Sequence, residues 1–166
     1  MNKLHFKPEE FACPCCGKIK VSHRLLLLLE TIRRVYANPI IITSGFRCKK
    51  HNDEIGGSKR SKHLKGMAVD IKTKDEKDFD YLASVVMSAW RLYFNDFRVG
   101  IYRQNFIHLD VDDRSNTRFW LDYKGNRNKR LYFIDVYADW RKIMKKVYED
   151  YFKEKDLWSS YLIRDL

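Results

Sequence analysis

The stretch of sequence that decides the fold is SKHLKGMAVD, residues 61–70. Its polar first half leads to Gly66, and glycine lets a chain turn back tightly. The apolar run that follows, Met67 to Ile71, predicts a short buried strand. Alternate side chains on a strand face opposite ways, so Asp70 faces away from the apolar neighbours that enter the core. The stretch therefore predicts a carboxylate on the open face of a strand, a few residues after His63 in a loop.

A second alternating segment is FIHLDV, residues 106–111. Its apolar side chains share one face of a strand, and His108 and Asp110 share the other. If the two strands are neighbours, their polar faces bring His63, Asp70 and His108 together. Two imidazoles, one carboxylate and an open position are the ligand set of a catalytic zinc that holds water. Taken singly, each residue has a plainer interpretation, as a hydrogen-bonded histidine or as an aspartate at a strand end.

The rest of the pattern predicts an α+β fold, in which helices pack on a small antiparallel sheet. Apolar residues at helical spacing indicate one helix from an N-cap at Ser22 to about Ala37, and a second over about 75–93. Strands are predicted at 40–43, 67–71, 98–102 and 106–111. Residues 1–20 are expected to form an irregular arm, 48–66 a long ordered loop, and 112–130 a polar stretch.

The length of 166 residues suits one domain. Residues 1–123 are predicted to form that domain. Residues 124–166 are predicted to add a basic linker and a C-terminal amphipathic helix that packs on it. A monomer is expected.

The formal net charge of +11 attracts polyanions, such as nucleic acid, anionic lipid or the anionic polymers of a cell envelope. A solvated surface with excess lysine is the plainer alternative. No apolar run approaches the ~20 residues that span a bilayer, so no transmembrane segment is predicted. The N-terminus has no apolar core of a signal peptide, which predicts a chain that is cytoplasmic on synthesis.

Four cysteines are present, with Cys13, Cys15 and Cys16 in a cluster and Cys48 directly after the SGFR segment at 44–47. If the N-terminal arm folds back on that segment, three or four thiolates can hold a structural zinc. The alternatives are a disulfide from Cys48 to the cluster in an oxidising envelope, and unpaired thiols in a packed arm. The spacing is not a standard pair of Cys-x-x-Cys motifs.

Taken together, the motifs resemble the zinc D-alanyl-D-alanine carboxypeptidase family, which includes murein endopeptidases and phage endolysins. The hedgehog signalling domain has a similar fold. The resemblance covers roughly residues 4–122. In chain order it rests on ITSGFR at 42–47, His51-Asn52, Gly56-Gly57, Ser61-x-His63-x-x-Gly66-x-Ala68-x-Asp70, and FIHLD at 106–110.

The resemblance implies that His63, Asp70 and His108 are the three zinc ligands. It implies that Arg47 helps to bind the substrate carboxylate or the developing oxyanion, a task that suits the fixed donors of a guanidinium. Ser61 matches a serine that hydrogen-bonds substrate. Three further matching positions shape the loop or contact the ligand: Asn52, Gly56 and Gly57.

One position departs from the family pattern. Many members carry Glu, Asp or His three residues before the last zinc ligand, as general base, and this chain has Asn105 there. An amide does not accept a proton usefully at neutral pH. Asp110 is the substitute candidate for the base, and the alternative is that it orients His108 from the second shell.

The resemblance therefore implies a zinc metallopeptidase that cuts peptidoglycan stem peptides, as a carboxypeptidase or as an endopeptidase such as an endolysin. Its site of action would be the cell wall, reached through phage- or holin-type release. The alternative is a catalytically inactive module that holds zinc and binds cell wall. A nucleic-acid-binding protein is the third hypothesis, and no recognisable nucleic-acid motif favours it.

Overall fold

The computed structural model describes residues 4–92, 97–102, 104–111 and 119–122, and within the C-terminal segment residues 142, 143, 145–147, 149, 150, 153, 158, 162 and 163. The predicted basic linker and the first part of the predicted C-terminal helix lie outside the described residues. Among the described residues, no helix is long and apolar enough to cross a membrane.

The α+β prediction is confirmed. A five-stranded sheet has the order β2-β3-β5-β4-β6, and its first four strands are antiparallel neighbours. The last strand, β6, adds to β4 in parallel. The strand bounds are Ile40–Ser44 (β2), Ala68–Thr73 (β3), Arg98–Tyr102 (β4), Phe106–Asp110 (β5) and Phe119–Asp122 (β6). A two-residue strand, β1 (Val21–Ser22), pairs in parallel with β7 (Leu162–Ile163) outside this sheet.

Two long helices cover the apolar face of the sheet, α1 (His23–Tyr36) and α3 (Phe79–Leu92). The helix α1 begins where predicted, because the Ser22 hydroxyl accepts a hydrogen bond from the Leu25 amide. It ends at Ala37, which adopts a left-handed conformation with φ of 61°. Its leucines and the apolar residues of α3 enclose the core with the inward side chains of β3, β4 and β5.

The N-terminal arm is fixed to α1 by a buried carboxylate. Glu30 is fully buried, and one of its oxygens accepts hydrogen bonds from the backbone amides of His5 at 2.7 Å and Phe6 at 3.0 Å. The arm is irregular apart from a 3-10 turn at Pro8–Phe11, as the sequence predicts. Glu30 stands in a leucine-rich helix, where a charge would ordinarily be placed on the solvent side.

The predicted long loop at 48–66 contains regular structure that the sequence pattern did not indicate. A short helix, α2 (Lys49–Glu54), follows Cys48, and a 3-10 turn covers Lys62–Lys65. Asn52 is buried, and its side-chain amide donates to the carbonyl oxygens of Gly57 and Ser58. The helix α2 depends on the Cys48 cap, and the 3-10 turn ends at Gly66 in a left-handed conformation. Neither feature leaves apolar periodicity in the sequence.

The strand β6 was also missed, because it lies in the stretch that was interpreted as polar. It adds to the edge of the sheet through β4, with Val99 opposite Phe119. The strand has only four residues, Phe-Trp-Leu-Asp, and polar residues surround it in the sequence, so its short apolar run does not stand out.

Described residues of the C-terminal segment contact the N-terminal part of the chain, and Ile143 packs against the main core cluster. The Asp150 carboxylate pairs with the Arg34 guanidinium on α1 at 2.6 Å, Trp158 packs edge-on against Phe11, and β7 pairs with β1. Every described residue from 142 to 158 is helical. We propose that this segment belongs to the same domain as residues 1–123.

Replacing Asp150 with asparagine is expected to lower the free energy of unfolding at neutral pH by about 2 kcal/mol, because Arg34 loses its charged partner. Burial would raise the pKa of Asp150, but hydrogen bonds from Arg34 and Lys146 outweigh burial and lower it. The contribution is therefore present above the usual aspartate pKa of about 3.9 and is lost as pH falls through the lowered folded value. Thermal unfolding of the wild type and of Asp150→Asn across this pH range measures the difference in stability. A difference of equal size at every pH would contradict the prediction.

Candidate metal centre

The register of the sheet places two of the predicted ligands opposite each other. Strands β3 and β5 pair antiparallel with Asp70 across from His108, while Val69 and Leu109 face the core as the next pair. The Nδ1 atom of His108 lies 2.7 Å from Oδ1 of Asp70. The alternation predicted for both strands is thus what brings the imidazole and the carboxylate to one face.

His63 reaches this pair from the 3-10 turn that precedes β3. The turn ends at Gly66, whose φ is +69° and where an added Cβ would lie 2.7 Å from the Lys20 carbonyl oxygen. This tight reversal is what the sequence predicted for Gly66. The Nδ1 atom of His63 lies 2.7 Å from the Gly45 carbonyl oxygen, which accepts only from a protonated nitrogen. In the neutral ring the lone pair is then on Nε2 of His63, the atom that faces Asp70 and His108.

Two of the three distances between the donor atoms match a small tetrahedral ion, while Nδ1 of His108 and Oδ1 of Asp70 lie closer together, at 2.7 Å. Nε2 of His63 lies 3.3 Å from both Nδ1 of His108 and Oδ1 of Asp70. Zinc bonds of about 2.0–2.1 Å to nitrogen and oxygen place tetrahedral ligands about 3.3 Å apart. His63, Asp70 and His108 are also one of two groups of potential metal ligands among the described residues.

Asp110 lies on the other side of the His108 ring. One of its oxygens, Oδ2, is 3.1 Å from Nε2 of His108, and the other accepts a hydrogen bond from Nε of Arg98 at 2.7 Å. Its carboxylate is only 1% exposed. The register pairs Arg98 directly with Asp110 across β4 and β5. Arg98 was not predicted as a site residue, and only the strand register could have indicated it.

Charge favours ionised carboxylates in this centre. Burial would raise the pKa of Asp70, but hydrogen bonds from His108 and His63 outweigh it and hold this pKa well below its usual range. For Asp110 burial also raises the pKa, and hydrogen bonds from His108 and Arg98 lower it overall. Burial would lower the pKa of His108, but its contacts with Asp110 and Asp70 raise it. A metal ion must therefore compete with a proton for His108.

Arg47 stands beside the outer oxygen of Asp70. Its Nη2 pairs with Oδ2 of Asp70, and its Nε donates to the Ser44 hydroxyl at 2.7 Å. Its backbone amide also donates to the His63 carbonyl oxygen. The structure thus brings Arg47 to Asp70 and to the backbone of His63, and it adds Ser44 and Gly45 as residues that hold the arginine and the histidine in place.

Asn105 occupies the turn between β4 and β5. Its φ is +58°, in the left-handed region that asparagine tolerates better than most residues, and its amide donates to the Tyr102 carbonyl oxygen. The backbone conformation therefore favours asparagine at the position where the family resemblance implies a general base.

The other predicted positions have local contacts within the 48–66 segment. Ser61 precedes the 3-10 turn, and its hydroxyl does not cap that turn. An added Cβ at Gly57 would lie 2.4 Å from the Asn52 side chain, and Gly56 has a φ of +68°. Asn52, Gly56 and Gly57 thus have structural roles in shaping the loop.

The second ligand group consists of Cys13, Cys16 and Cys48, whose sulfur atoms lie within 4.8 Å of one another. The arm does fold back on the segment after β2, as one hypothesis for the cysteines required. Burial would raise the pKa of the Cys13 thiol, but backbone amides of Cys48, Cys15 and Cys16 donate to it and lower its pKa to about 7.

The sequence profile of Peptidase M15 matches residues 4–110, which is more than half of the chain. The chain belongs to the Peptidase M15 family. The family resemblance drawn from the motifs is therefore confirmed. No curated protein matches the chain.

Membership of Peptidase M15 makes the protein a metallopeptidase by family, and peptidases of this family use zinc. The matched range includes every residue of the cluster formed by His63, Asp70 and His108. It ends at Asp110, so the C-terminal segment is outside the match.

Proposed function

We propose that the protein is a zinc peptidase that hydrolyses peptide bonds in the stem peptides of bacterial peptidoglycan, at a site made by His63, Asp70 and His108. The observation that carries the proposal is the convergence of these three donors on one face of the sheet in a Peptidase M15 chain. The net charge of +11 favours an anionic target, and the proposed place of action is the cell wall.

The residues of the centre are arranged to hold zinc by Nε2 of His63, Nδ1 of His108 and Oδ1 of Asp70. The chemistry that zinc supplies in such a site is polarisation of a carbonyl group and activation of a water molecule. The Gly45 carbonyl fixes the His63 ring in the tautomer that a metal ligand needs. Three protein ligands leave a fourth position open, which separates a catalytic zinc site from a closed structural one.

Arg47 is proposed to bind negative charge on the substrate. Its guanidinium carries five donors, of which Asp70 and Ser44 engage Nη2 and Nε. The remaining donors are proposed to meet the substrate next to Asp70. A substrate carboxylate or a developing oxyanion would then share the positive charge of the arginine.

Asp110 is proposed to orient His108. Of the two possible roles for Asp110, general base and partner of His108, its contacts support the second. Both oxygens are engaged, one by His108 and one by Arg98, and the carboxylate is buried. A carboxylate on the far nitrogen of a metal-binding histidine fixes the ring and raises its basicity.

Replacing Asp110 with asparagine separates the two roles. A positioning role predicts a fall in zinc affinity of roughly 10–100-fold, and hydrolysis that recovers when zinc is added in excess. The pH–rate profile at saturating zinc should keep its acidic limb. Zinc titration and rate measurements across pH check this. Hydrolysis that stays lost at full zinc occupancy, together with disappearance of that limb, would instead identify Asp110 as the general base.

Defined stem peptides test the proposed function and identify the bond. Purified protein is incubated with a pentapeptide that ends in D-alanyl-D-alanine and with a cross-linked dimer, and products are identified by mass spectrometry. Release of D-alanine indicates a carboxypeptidase, and separation of the dimer indicates an endopeptidase. Either product should vanish with a chelator. No product from protein shown to carry zinc at His63 would favour the alternative, a zinc-binding module without turnover, to which the asparagine at position 105 already points.

A further inference from the structure

The cysteines of the N-terminal arm and the segment after β2 form a cluster outside the peptidase centre. Cys13, Cys16 and Cys48 have sulfur atoms within 4.8 Å of one another, and all four cysteines are free thiols. We propose that this cluster is a second metal site, which holds a structural zinc through thiolates alone.

The local backbone of the arm is shaped for such a site. Two residues separate Cys13 from Cys16, which is the Cys-x-x-Cys spacing of structural zinc sites. Gly17 follows with a φ of +68°, its amide donates to the Cys13 carbonyl oxygen, and the Cys13 amide donates to the Lys18 carbonyl oxygen. This closed turn presents both sulfur atoms on one side. The pair is present in the sequence, but the third cysteine, Cys15, lies between its members and makes the spacing hard to recognise.

Cys15 is placed to supply the fourth ligand. Its sulfur lies 3.7 Å from that of Cys48. Zinc bonds of about 2.3 Å to sulfur place tetrahedral thiolates about 3.8 Å apart. The side chain is exposed, so it is free to change rotamer and close the site around the other three sulfur atoms.

Backbone amides already point at the sulfur atoms. The Cys48 amide lies 3.4 Å from the Cys13 sulfur, and the His51 amide lies 3.4 Å from the Cys48 sulfur. Such donors stabilise negative charge on sulfur, which is the form that binds zinc. A disulfide would use only two of the four thiols and leave the other two beside it, whereas a soft metal ion uses the whole group.

A metal ion bound by these cysteines would cross-link the N-terminal arm to the segment that carries Arg47. That segment already lies against the arm, since the Phe46 amide donates to the Phe11 carbonyl oxygen. An added Cβ at Gly45 would lie 2.5 Å from the Phe11 Cα. Cys48 is the next residue after Arg47, so a metal bound there fixes the backbone from which the arginine reaches Asp70.

Cobalt(II) substitution tests the cysteine site, because its absorption spectrum distinguishes thiolate ligands from the ligands of the peptidase centre. Cobalt bound to thiolates gives an intense near-ultraviolet charge-transfer absorption, which nitrogen and oxygen ligands do not give. The full-length protein, purified reduced, is stripped of metal and loaded with cobalt. Strong thiolate absorption is expected in the wild type. It should be largely lost in Cys16→Ser, where an exposed ligand is removed without disturbing the core.

Cys48→Ser is the second variant. Cys48 caps α2 by accepting the His51 amide, and serine is a preferred residue at that position. A structural role limited to capping therefore predicts unchanged or higher stability. The metal site predicts loss of the absorption, loss of one zinc ion per chain by elemental analysis, and a fall in Tm of several degrees that is seen only with metal present.

The variant His63→Ala distinguishes the proposed peptidase centre from the proposed cysteine site. It should lose the zinc of the peptidase centre and retain the full thiolate absorption. The inference is overturned if the wild type shows no thiolate absorption, or if Cys16→Ser and Cys48→Ser both retain it. It is likewise overturned if protein isolated without added reductant carries a Cys15–Cys48 disulfide and no thiolate-bound metal. None of these results depends on whether the protein hydrolyses peptidoglycan.

Discussion

Loss of His63 is expected to abolish hydrolysis of peptidoglycan and binding of zinc to the peptidase centre. His63→Ala removes one of three ligands. Its effect should therefore exceed the roughly 10–100-fold that follows loss of a residue that only supports a ligand. Asp70→Asn is the companion variant, because it keeps the volume of the buried side chain and removes its charge. Zinc content and the rate of release of soluble peptide fragments from sacculi are the measurements.

The matched control for His63→Ala is His5→Ala, which removes an imidazole that contacts Glu30 and none of the three proposed ligands. It should retain both zinc and activity. Tm values of the variants show whether the fold survives, since His63 is buried. Full activity in a folded His63→Ala protein would rule out the proposed centre.

The second large effect is expected at Arg47. Arg47→Lys keeps a positive charge and loses the fork of donors, so kcat/KM should fall by roughly 10²–10³-fold, as when one oxyanion donor is removed. Ser44→Ala, which removes only the partner of the arginine Nε, should have a smaller effect in the same direction. Zinc content should stay at the wild-type level in both variants. Unchanged kinetics in Arg47→Lys would contradict the proposed role.

A substrate with a C-terminal amide distinguishes the two charges that Arg47 could bind. If the arginine binds the substrate carboxylate, the KM of the wild type should be higher for the amide than for the free acid. With the amide as substrate, Arg47→Lys should then raise KM little further. If it binds the developing oxyanion, Arg47→Lys should lower kcat for both substrates.

The central elements of the fold could be predicted because their apolar periodicity is strong. The alternation of β3 and β5 placed Asp70 and His108 on the open face before any geometry was known. The N-cap at Ser22 gave the start of α1. Segments held by other forces were missed: α2 rests on capping, and β6 is an edge strand with a polar sequence around it.

Within the candidate site, residue type predicted which side chains meet, and register determined how they meet. The sequence left two possible roles for Asp110. Alternation predicts which face of the strand its side chain lies on, but not which side chains of the neighbouring strands it contacts. The pairing of Arg98 with Asp110 across β4 and β5 engages one oxygen and turns the other to His108. Contacts from backbone carbonyls, such as Gly45 with His63, leave no trace in residue type.

Zinc titration of metal-stripped protein, with fragment release from peptidoglycan sacculi as the readout, tests the central claim most directly. The account predicts that wild-type hydrolysis is absent without metal, rises with added zinc, and reaches a plateau when the site of His63, Asp70 and His108 is filled. It also predicts no recovery in His63→Ala. Hydrolysis that proceeds equally without zinc, or that stays absent when this site is shown to be filled, would contradict the account.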